Sequence, residues 1–294
     1  MHSFVKRNKR TVYKILNWLI PDDKKYLSFN YRMKIGRKLN WNNPQAYTEK
    51  VQWLKLNDIV PEYTVMVDKY SVKDYIAQKI GPVYVIPTIG VWENAEDIDF
   101  SKLPEQFVLK CSHDSGGLLI CKDKAKLNTE AVKKEFSKAL KMRFYMEGRE
   151  YQYKDVVPRV IAEQYIEQED GGAPWDYKVL CFGGKAKLIE VHAGRYSDKH
   201  TQSFYDIDWK QTTISQGGED TISKIPIPKP ACFDEMIEKS EILAQGMRHV
   251  RVDWYIVKGQ LLFGEITLYD GSGLEPFTKY EDDLLLGSWI DINN

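Results

Sequence analysis

Asp253 and Glu265 are two acids in the segment from Arg251 to Thr267, which reads as two strands around Lys258-Gly259. Alternation puts Val250, Val252, Trp254 and Ile256 on one face of the first strand, and Leu262, Ile266 and Leu268 on one face of the second. A two-residue turn at Lys258-Gly259 would pair Asp253 with Gly264 and turn Glu265 towards the apolar side. A three-residue turn ending at Gln260 pairs Asp253 with Glu265, and this is the expected register. It gathers Arg251, Asp253, Glu265 and Thr267 on one polar face. Adjacent carboxylates repel unless a cation lies between them, and oxygen donors of this kind suit Mg²⁺. An ordinary hairpin with one solvated face carries the same pattern.

A second chemical element runs from Phe107 to Ile120. Lys110 ends a strand, a small polar loop with Ser115, Gly116 and Gly117 follows, and another strand returns. Glycines let the backbone approach a ligand, successive N–H groups can cradle phosphate oxygens, and Lys110 adds a point charge. The Lys-Ser/Thr and helix of a Walker loop are absent, and a plain hairpin turn fits equally well. A third element, Val160 to Glu167 followed by Asp176-Tyr177-Lys178, offers acceptors and backbone for an adenine edge, or simply solvated strand positions. A phosphate loop, an adenine strand and a carboxylate pair are complementary parts of one nucleotide site.

The elements that must position these residues mix hairpins and helices, which suggests an α+β fold. Helical, aromatic sequence fills residues 1 to about 65, including a helix from Thr48 to Leu56. Asp68 is the expected N-cap of a helix burying Val72, Tyr75, Ile76 and Ile80, and Asn128 caps another. Strands are expected at 83–86, 106–110, 118–121, 159–166, 177–182 and 185–191, with a helix from Phe233 to His249. The connection from Ala193 to Pro230 reads as a loop.

With these motifs placed, the chain resembles the ATP-grasp family. The resemblance rests on the order Asp68-Lys69-Tyr70, Val108-Leu109-Lys110 with its glycine loop, Ala162-Glu163-Gln164-Tyr165-Ile166, Asp176-Tyr177-Lys178, Arg251-Val252-Asp253 and Gly264-Glu265-Ile266-Thr267. More narrowly, it is similar to the TupA-like branch, related to teichuronopeptide biosynthesis, over roughly residues 40 to 290. The resemblance implies an ATP-grasp fold in which two α+β subdomains, 66–160 and 161–294, grip ATP behind a helical extension at 1–65. It implies that Lys69, Lys110, Ser115, Gly116 and Gly117 meet the phosphates. Glu163, Gln164 and Ile166 would line the adenine pocket, Asp176 would hold the ribose, and Lys178 would lie beside the nucleotide. Asp253, Glu265 and Thr267 would bind Mg²⁺, while Arg195 and Lys199, on a closing loop, and Arg251 would serve the transferring phosphoryl group. Two departures stand out: Thr267 occupies a place usually held by Asn, and Tyr269-Asp270 stands where relatives commonly have a Thr-Pro type pair.

By the same resemblance the activity is ATP- and Mg²⁺-dependent carboxylate–amine ligation through an acyl phosphate. The setting implied is an amino acid or amino alcohol joined to a uronic acid of a surface polysaccharide precursor. A sugar kinase on the same fold, a glycosyltransferase using Asp97-Ile98-Asp99 or Asp206-Ile207-Asp208, and a non-catalytic nucleotide-binding protein are the alternatives.

Composition narrows the partners. Lys plus Arg and Asp plus Glu are each 42 among 294 residues, so no global charge favours nucleic acid. Cys111, Cys121, Cys181 and Cys232 show no metal-ligand spacing and read as reduced thiols in a cytoplasmic protein. Lys6, Arg7, Lys9 and Arg10 precede a short apolar stretch ending at Ile20, too broken to span a membrane but suited to an anionic surface or to plain docking.

Overall fold

The computed structural model describes residues 13, 16–114, 117–167, 174–194 and 200–293. The first helices with described bounds are α1 (Asp23–Ile35), α2 (Tyr47–Asn57), α3 (Glu62–Val67) and α4 (Val72–Lys79). Asp22 caps α1 by accepting from the Lys25 amide at 2.8 Å, and Gly36, at φ 79°, ends it. Asp68 does not cap α4 from one residue before its start. Its carboxylate accepts from the Tyr70 amide at 3.1 Å and the Ser71 hydroxyl at 2.7 Å, securing the turn ahead of the helix.

The first sheet contains β1 (Thr88–Trp92), β2 (Phe107–Cys111), β3 (Leu118–Cys121) and β4 (Val160–Gln164), all antiparallel in the order β1-β4-β2-β3. Between β3 and β4 lie α5 (Thr129–Ala139), capped by Asn128, and α6 (Tyr145–Gly148). The strand expected at 83–86 is instead a 3-10 turn at Pro82–Tyr84, where the ring fixes φ for a turn, and the true strand starts after Pro87.

The second sheet holds β5 (Asp176–Phe182), β6 (Lys185–Ala193), β7 (Thr201–Tyr205), β8 (His249–Val257) and β9 (Gln260–Thr267), again antiparallel, in the order β7-β6-β5-β8-β9. Strand β7 lies inside the connection read as a loop; Gln202 and Ser203 dilute its apolar pattern, as an edge strand tolerates. Helix α7 (Phe233–Leu243) stops short of His249 because Gly246, at φ 80°, turns the chain into β8. Helix α8 (Tyr280–Ser288) follows the sheet.

One face of the second sheet is apolar. Val179, Ile189, Val191, Val250, Val252, Trp254, Phe263 and Ile266 pack with Phe233, Met236 and Leu243 of α7. Trp254 is fully buried, and its indole N–H donates to Ser240 Oγ at 2.8 Å. The cores do not follow chain order: Tyr47, Val51 and Leu54 of α2 join this larger cluster, while a smaller one beneath the first sheet gathers Phe107, Leu109, Phe136, Val160 and Ala162.

The hairpin reaches its register by another route than the one expected. Lys258 and Gly259, at φ 51° and 77°, form a two-residue turn pairing Val257 with Gln260. A bulge between Asp253 and Trp254 then absorbs Gly264, so Asp253 pairs with Glu265 after all. Because the bulge reverses alternation, Leu261 and Phe263 enter the core, and Leu262 faces the other side opposite Tyr255. A Cβ at Gly264 would lie 3.0 Å from the Asp253 carbonyl oxygen and 3.2 Å from Tyr255 Cε2.

All four cysteines are free thiols, and among the described residues no helix is long and apolar enough to cross a membrane. Trp18 is 80% exposed, whereas Lys6, Arg7, Lys9 and Arg10 lie outside the described residues. Gly264→Ala should destabilise the protein by about 1–3 kcal/mol through overpacking at the bulge. Urea unfolding midpoints measure this, and an unchanged midpoint would mean that the bulge does not require glycine.

Candidate active site

The other face of the second sheet is built from charge. Cross-strand register sets Lys178 of β5 between Glu190 of β6 and Asp253 of β8, with Glu265 of β9 next in the row. Arg251 and Thr267 form the adjacent pair. The far end of this face, at His249 and Phe182, is closed by Tyr47 of α2, whose hydroxyl lies 3.0 Å from His249 Nε2. Burial drives His249 down to about 4, so this ring is a neutral structural partner at physiological pH.

Arg251 is the hub. Its Nε donates to Asp253 Oδ1 at 2.6 Å and its Nη2 to Asp253 Oδ2 at 2.7 Å, a bidentate pair. The same Nη2 reaches Glu265 Oε1 at 3.0 Å and Thr267 Oγ1 at 3.1 Å, while Nη1 donates to Asp270. Thr267 Oγ1 in turn donates to Glu265 Oε1 at 2.8 Å. Lys178 Nζ stands 3.9 Å from Asp253 Oδ2. The cation required between the paired carboxylates is therefore supplied by the protein itself.

Burial raises Asp253 to about 6, more than Arg251 and Lys178 lower it. Burial also opposes ionisation of Glu265, but Lys69 and Arg251 outweigh it and bring that carboxyl down to about 2. For Arg251, burial works against the charge, yet Asp253 and Asp270 hold the guanidinium firmly protonated. At neutral pH all three partners of the Arg251–Asp253–Glu265 cluster carry charge.

Lys69 connects this face to the glycine loop. Its Nζ donates to the Asp114 carbonyl at 2.5 Å, and its amide donates to the Ser112 carbonyl at 3.0 Å. Asp114 Oδ1 accepts from the Gly117 amide at 3.1 Å. A Cβ at Gly117 would stand 2.9 Å from Cys111 Sγ and 3.1 Å from Asp114 Oδ2, so a side chain there would displace those groups. Ser115 and Gly116, like Arg195 and Lys199, lie outside the described residues.

Glu163 bridges two lysines: Lys110 and Lys73 each place Nζ 2.6 Å from its carboxylate. Burial opposes this charge, but Lys110 and Lys73 hold the Glu163 carboxyl below its usual range. Gln164 at the end of β4 is exposed, Ile166 beyond it is half-buried, and Asp176 is buried opposite Tyr255 and His192.

Several residues escaped the sequence reading. Asp270 could not be matched with Arg251 from spacing, because the chain turns before they meet. Glu190 was detectable: alternation in β6 places it on the face of Lys178. Its Oε1 lies 2.7 Å from His192 Nε2 and accepts from Gln202 Nε2 at 2.5 Å, while Oε2 is buried without a partner among the described residues. His192 Nδ1 meets His200 Nε2 at 2.9 Å. Lys73, in the first turn of α4, pairs with Glu163 of β4, a contact between distant segments that no local spacing encodes.

Asp99 accepts from the Ser101 amide at 3.1 Å, and Asp206 accepts from the amides of Asp208 and Lys210 at 3.0 and 2.8 Å. These acids of the two D-x-D strings are used in local turns. Among the described residues, no group of three or more His, Cys, Asp or Glu side chains is arranged to hold a metal. Mg²⁺ asks for less: one or two carboxylates, water and substrate phosphates suffice. The carboxylates of Asp253 and Glu265 offer hard oxygen donors of that kind, while the Thr267 hydroxyl is already engaged by Glu265 and Arg251.

No curated protein matches the chain. Among solved structures it is similar to D-alanine–D-alanine ligase from Helicobacter pylori, with 16% identity over 83% of this chain and 69% of that one, at a TM-score of 0.46. It is also similar to an L-amino acid ligase from Bacillus licheniformis, with 13% identity over 87% of this chain and 56% of that one, at 0.44. A D-alanine–D-alanine ligase from Bacillus anthracis complexed with ATP matches with 16% identity over 76% of this chain and 63% of that one, at 0.41. The chain thus spans less than two thirds of the length of the last two structures. A family model described as TupA-like ATP-grasp matches residues 49–291. The helices and two antiparallel sheets agree with the expected α+β class, and the chain belongs to the TupA-like ATP-grasp family.

Proposed function

We propose that this protein is an ATP- and Mg²⁺-dependent carboxylate–amine ligase. Its acid would be a uronic acid of a surface polysaccharide precursor, and its amine an amino acid or amino alcohol, as the family's association with polysaccharide assembly suggests. The observation that carries the reading is the cross-strand pair Asp253 and Glu265, facing a lysine that also holds the glycine loop. A hairpin with a merely solvated face would have no reason to bury this much charge.

Bound Mg·ATP supplies the phosphoryl group that turns the substrate carboxylate into an acyl phosphate with release of ADP. The amine nitrogen then attacks the acyl carbon, phosphate leaves, and the nitrogen gives up a proton. In this scheme Asp253 and Glu265 hold Mg²⁺, with Thr267 beside them. Lys69, Lys110 and the amides of Ser115, Gly116 and Gly117 bind phosphate oxygens, and Glu163 fixes the direction of the Lys110 ammonium. Glu163, Gln164 and Ile166 line the adenine site, while Asp176 and Lys178 hold the ribose side. Arg251 stabilises the transferring phosphoryl group, assisted by Arg195 and Lys199. The units of the reading are the helical segment 1–65, the loop-bearing part 66–160 and the hairpin-bearing part 161–294, acting in the cytoplasm where ATP is available. The basic N-terminus would rest against the inner face of the membrane.

Asp253→Asn and Glu265→Gln should each leave the fold intact and lower amine-dependent ADP release by about 10²–10³-fold. Steady-state kinetics with a panel of uronic acids and amines, read by mass detection of amides, provides the measurement. Near-normal turnover in both variants, or AMP as the product, would remove the reading.

Arg251→Met should cost about 3–5 kcal/mol of stability, because it leaves buried carboxylates without their cation. Millimolar Mg²⁺ should restore more of the melting temperature in this variant than in the wild type. An equal Mg²⁺ response in the two proteins would argue that the ion does not share these acids with Arg251.

A further inference from the structure

Lys55 is a buried cation that the scheme above leaves without a task. It lies on α2 with no solvent exposure. Its ammonium donates to the Ser272 carbonyl and to Ser272 Oγ, both at 2.7 Å, and to Gln52 Oε1 at 3.2 Å. Gln52 Nε2 donates in turn to the carbonyls of Ser272 and Gly273 at 2.9 and 3.0 Å. Burying an ammonium is costly unless its hydrogen bonds are made, and here they converge on a single turn.

That turn is itself unusual. Gly271, Ser272 and Gly273 occupy the left-handed region in succession, at φ 52°, 58° and 60°. Serine has no intrinsic preference for that conformation, so the surroundings must impose it. A Cβ on Gly148 would lie 2.5 Å from Glu150 Oε1 and 2.7 Å from Ser272 Oγ, so α6 closes on the turn from another side. Burial pushes Lys55 down to about 8, opposed by the charge of Glu150. The same turn begins at Asp270, the residue that holds Arg251 Nη1.

We propose that Lys55 is a positioning residue, whose ammonium holds the 270–273 turn in its left-handed form and thereby keeps Asp270 on Arg251. The chain of contacts runs from α2 through Ser272 and Asp270 to the guanidinium that also grips Asp253 and Glu265. Lys55 touches no reacting atom; it sets the place of the group that does. The catalytic part of this inference rests on the ligase reading, whereas the conformational part does not.

Lys55→Met in the full chain tests both parts. The amides of Ser272 and Leu274, which donate to the Tyr269 and Gly271 carbonyls at 2.8 and 3.0 Å, report on the turn. Their hydrogen exchange should quicken by about tenfold or more while protection in β5 and β8 stays unchanged, the mark of local rather than global opening. In turnover, kcat should fall by about tenfold with KM for ATP within about twofold, as expected for a group that acts on the transition state through Arg251. Ser272→Gly, which accepts the left-handed conformation, should keep kcat near wild type, and Ser272→Val should reproduce the Lys55→Met loss. Should Lys55→Met fail to fold, Ser272→Val carries the test. Unchanged exchange at Ser272 and Leu274 overturns the inference outright. Faster exchange with unchanged kcat in an active enzyme overturns the catalytic part. Full activity of Asp253→Asn and Glu265→Gln would sink the ligase reading while leaving the exchange result to stand by itself.

Discussion

The guanidinium of Arg251 is the constraint on which the charged face depends. Asp253 and Asp270 are buried acids, Glu265 is a partly open one, and all three lie against a single cation. Removing carboxylates from water costs several kcal/mol each, which is recovered only with close, well-directed partners. The planar fork supplies them: two N–H groups to Asp253, one shared by Glu265 and Thr267, and one to Asp270. A lysine could not meet acids lying in so many directions. The arrangement links the hairpin register, which brings Asp253 opposite Glu265, to the 270–273 turn, which brings Asp270 back to the sheet.

The second constraint joins the sheets. Lys69 belongs to the segment between α3 and α4, binds the glycine loop through Asp114, and contributes the largest charge that steadies Glu265. One ammonium is therefore fixed on the glycine loop while its charge, together with that of Arg251, favours the ionised form of Glu265. Lys110 and Lys73 repeat the principle at Glu163, where one carboxylate holds two ammonium groups. There the acid fixes the direction of both cations, and in the first place the Asp114 carbonyl does the same for Lys69.

Much of this was legible because β-structure writes its faces into the sequence. The pairing of Asp253 with Glu265 followed from alternation, and so did the common face of Arg251, Asp253 and Thr267. The path to that pairing was not legible: Lys258 in a left-handed turn and Gly264 in a bulge compensate one another, and a three-residue turn produces the same register. The cost of that ambiguity appears at Leu262, read as core but replaced there by Leu261 and Phe263. Contacts that depend on the chain returning from a distance were hidden for a different reason. Asp270 on Arg251, Lys55 on Ser272 and Glu163 between two lysines join segments whose relative placement no local pattern encodes.

Thr267 can be interpreted more closely than its position alone allows. Its hydroxyl donates its one proton to Glu265 Oε1 and accepts from Arg251 Nη2. One lone pair remains, so the residue is at most a weak direct ligand while it continues to orient Glu265. Thr267 and Asp270 meet the same guanidinium, the hydroxyl at Nη2 and the acid at Nη1. These contacts hold Arg251 between the sheet and the following turn, and through it keep the carboxylates of Asp253 and Glu265 oriented.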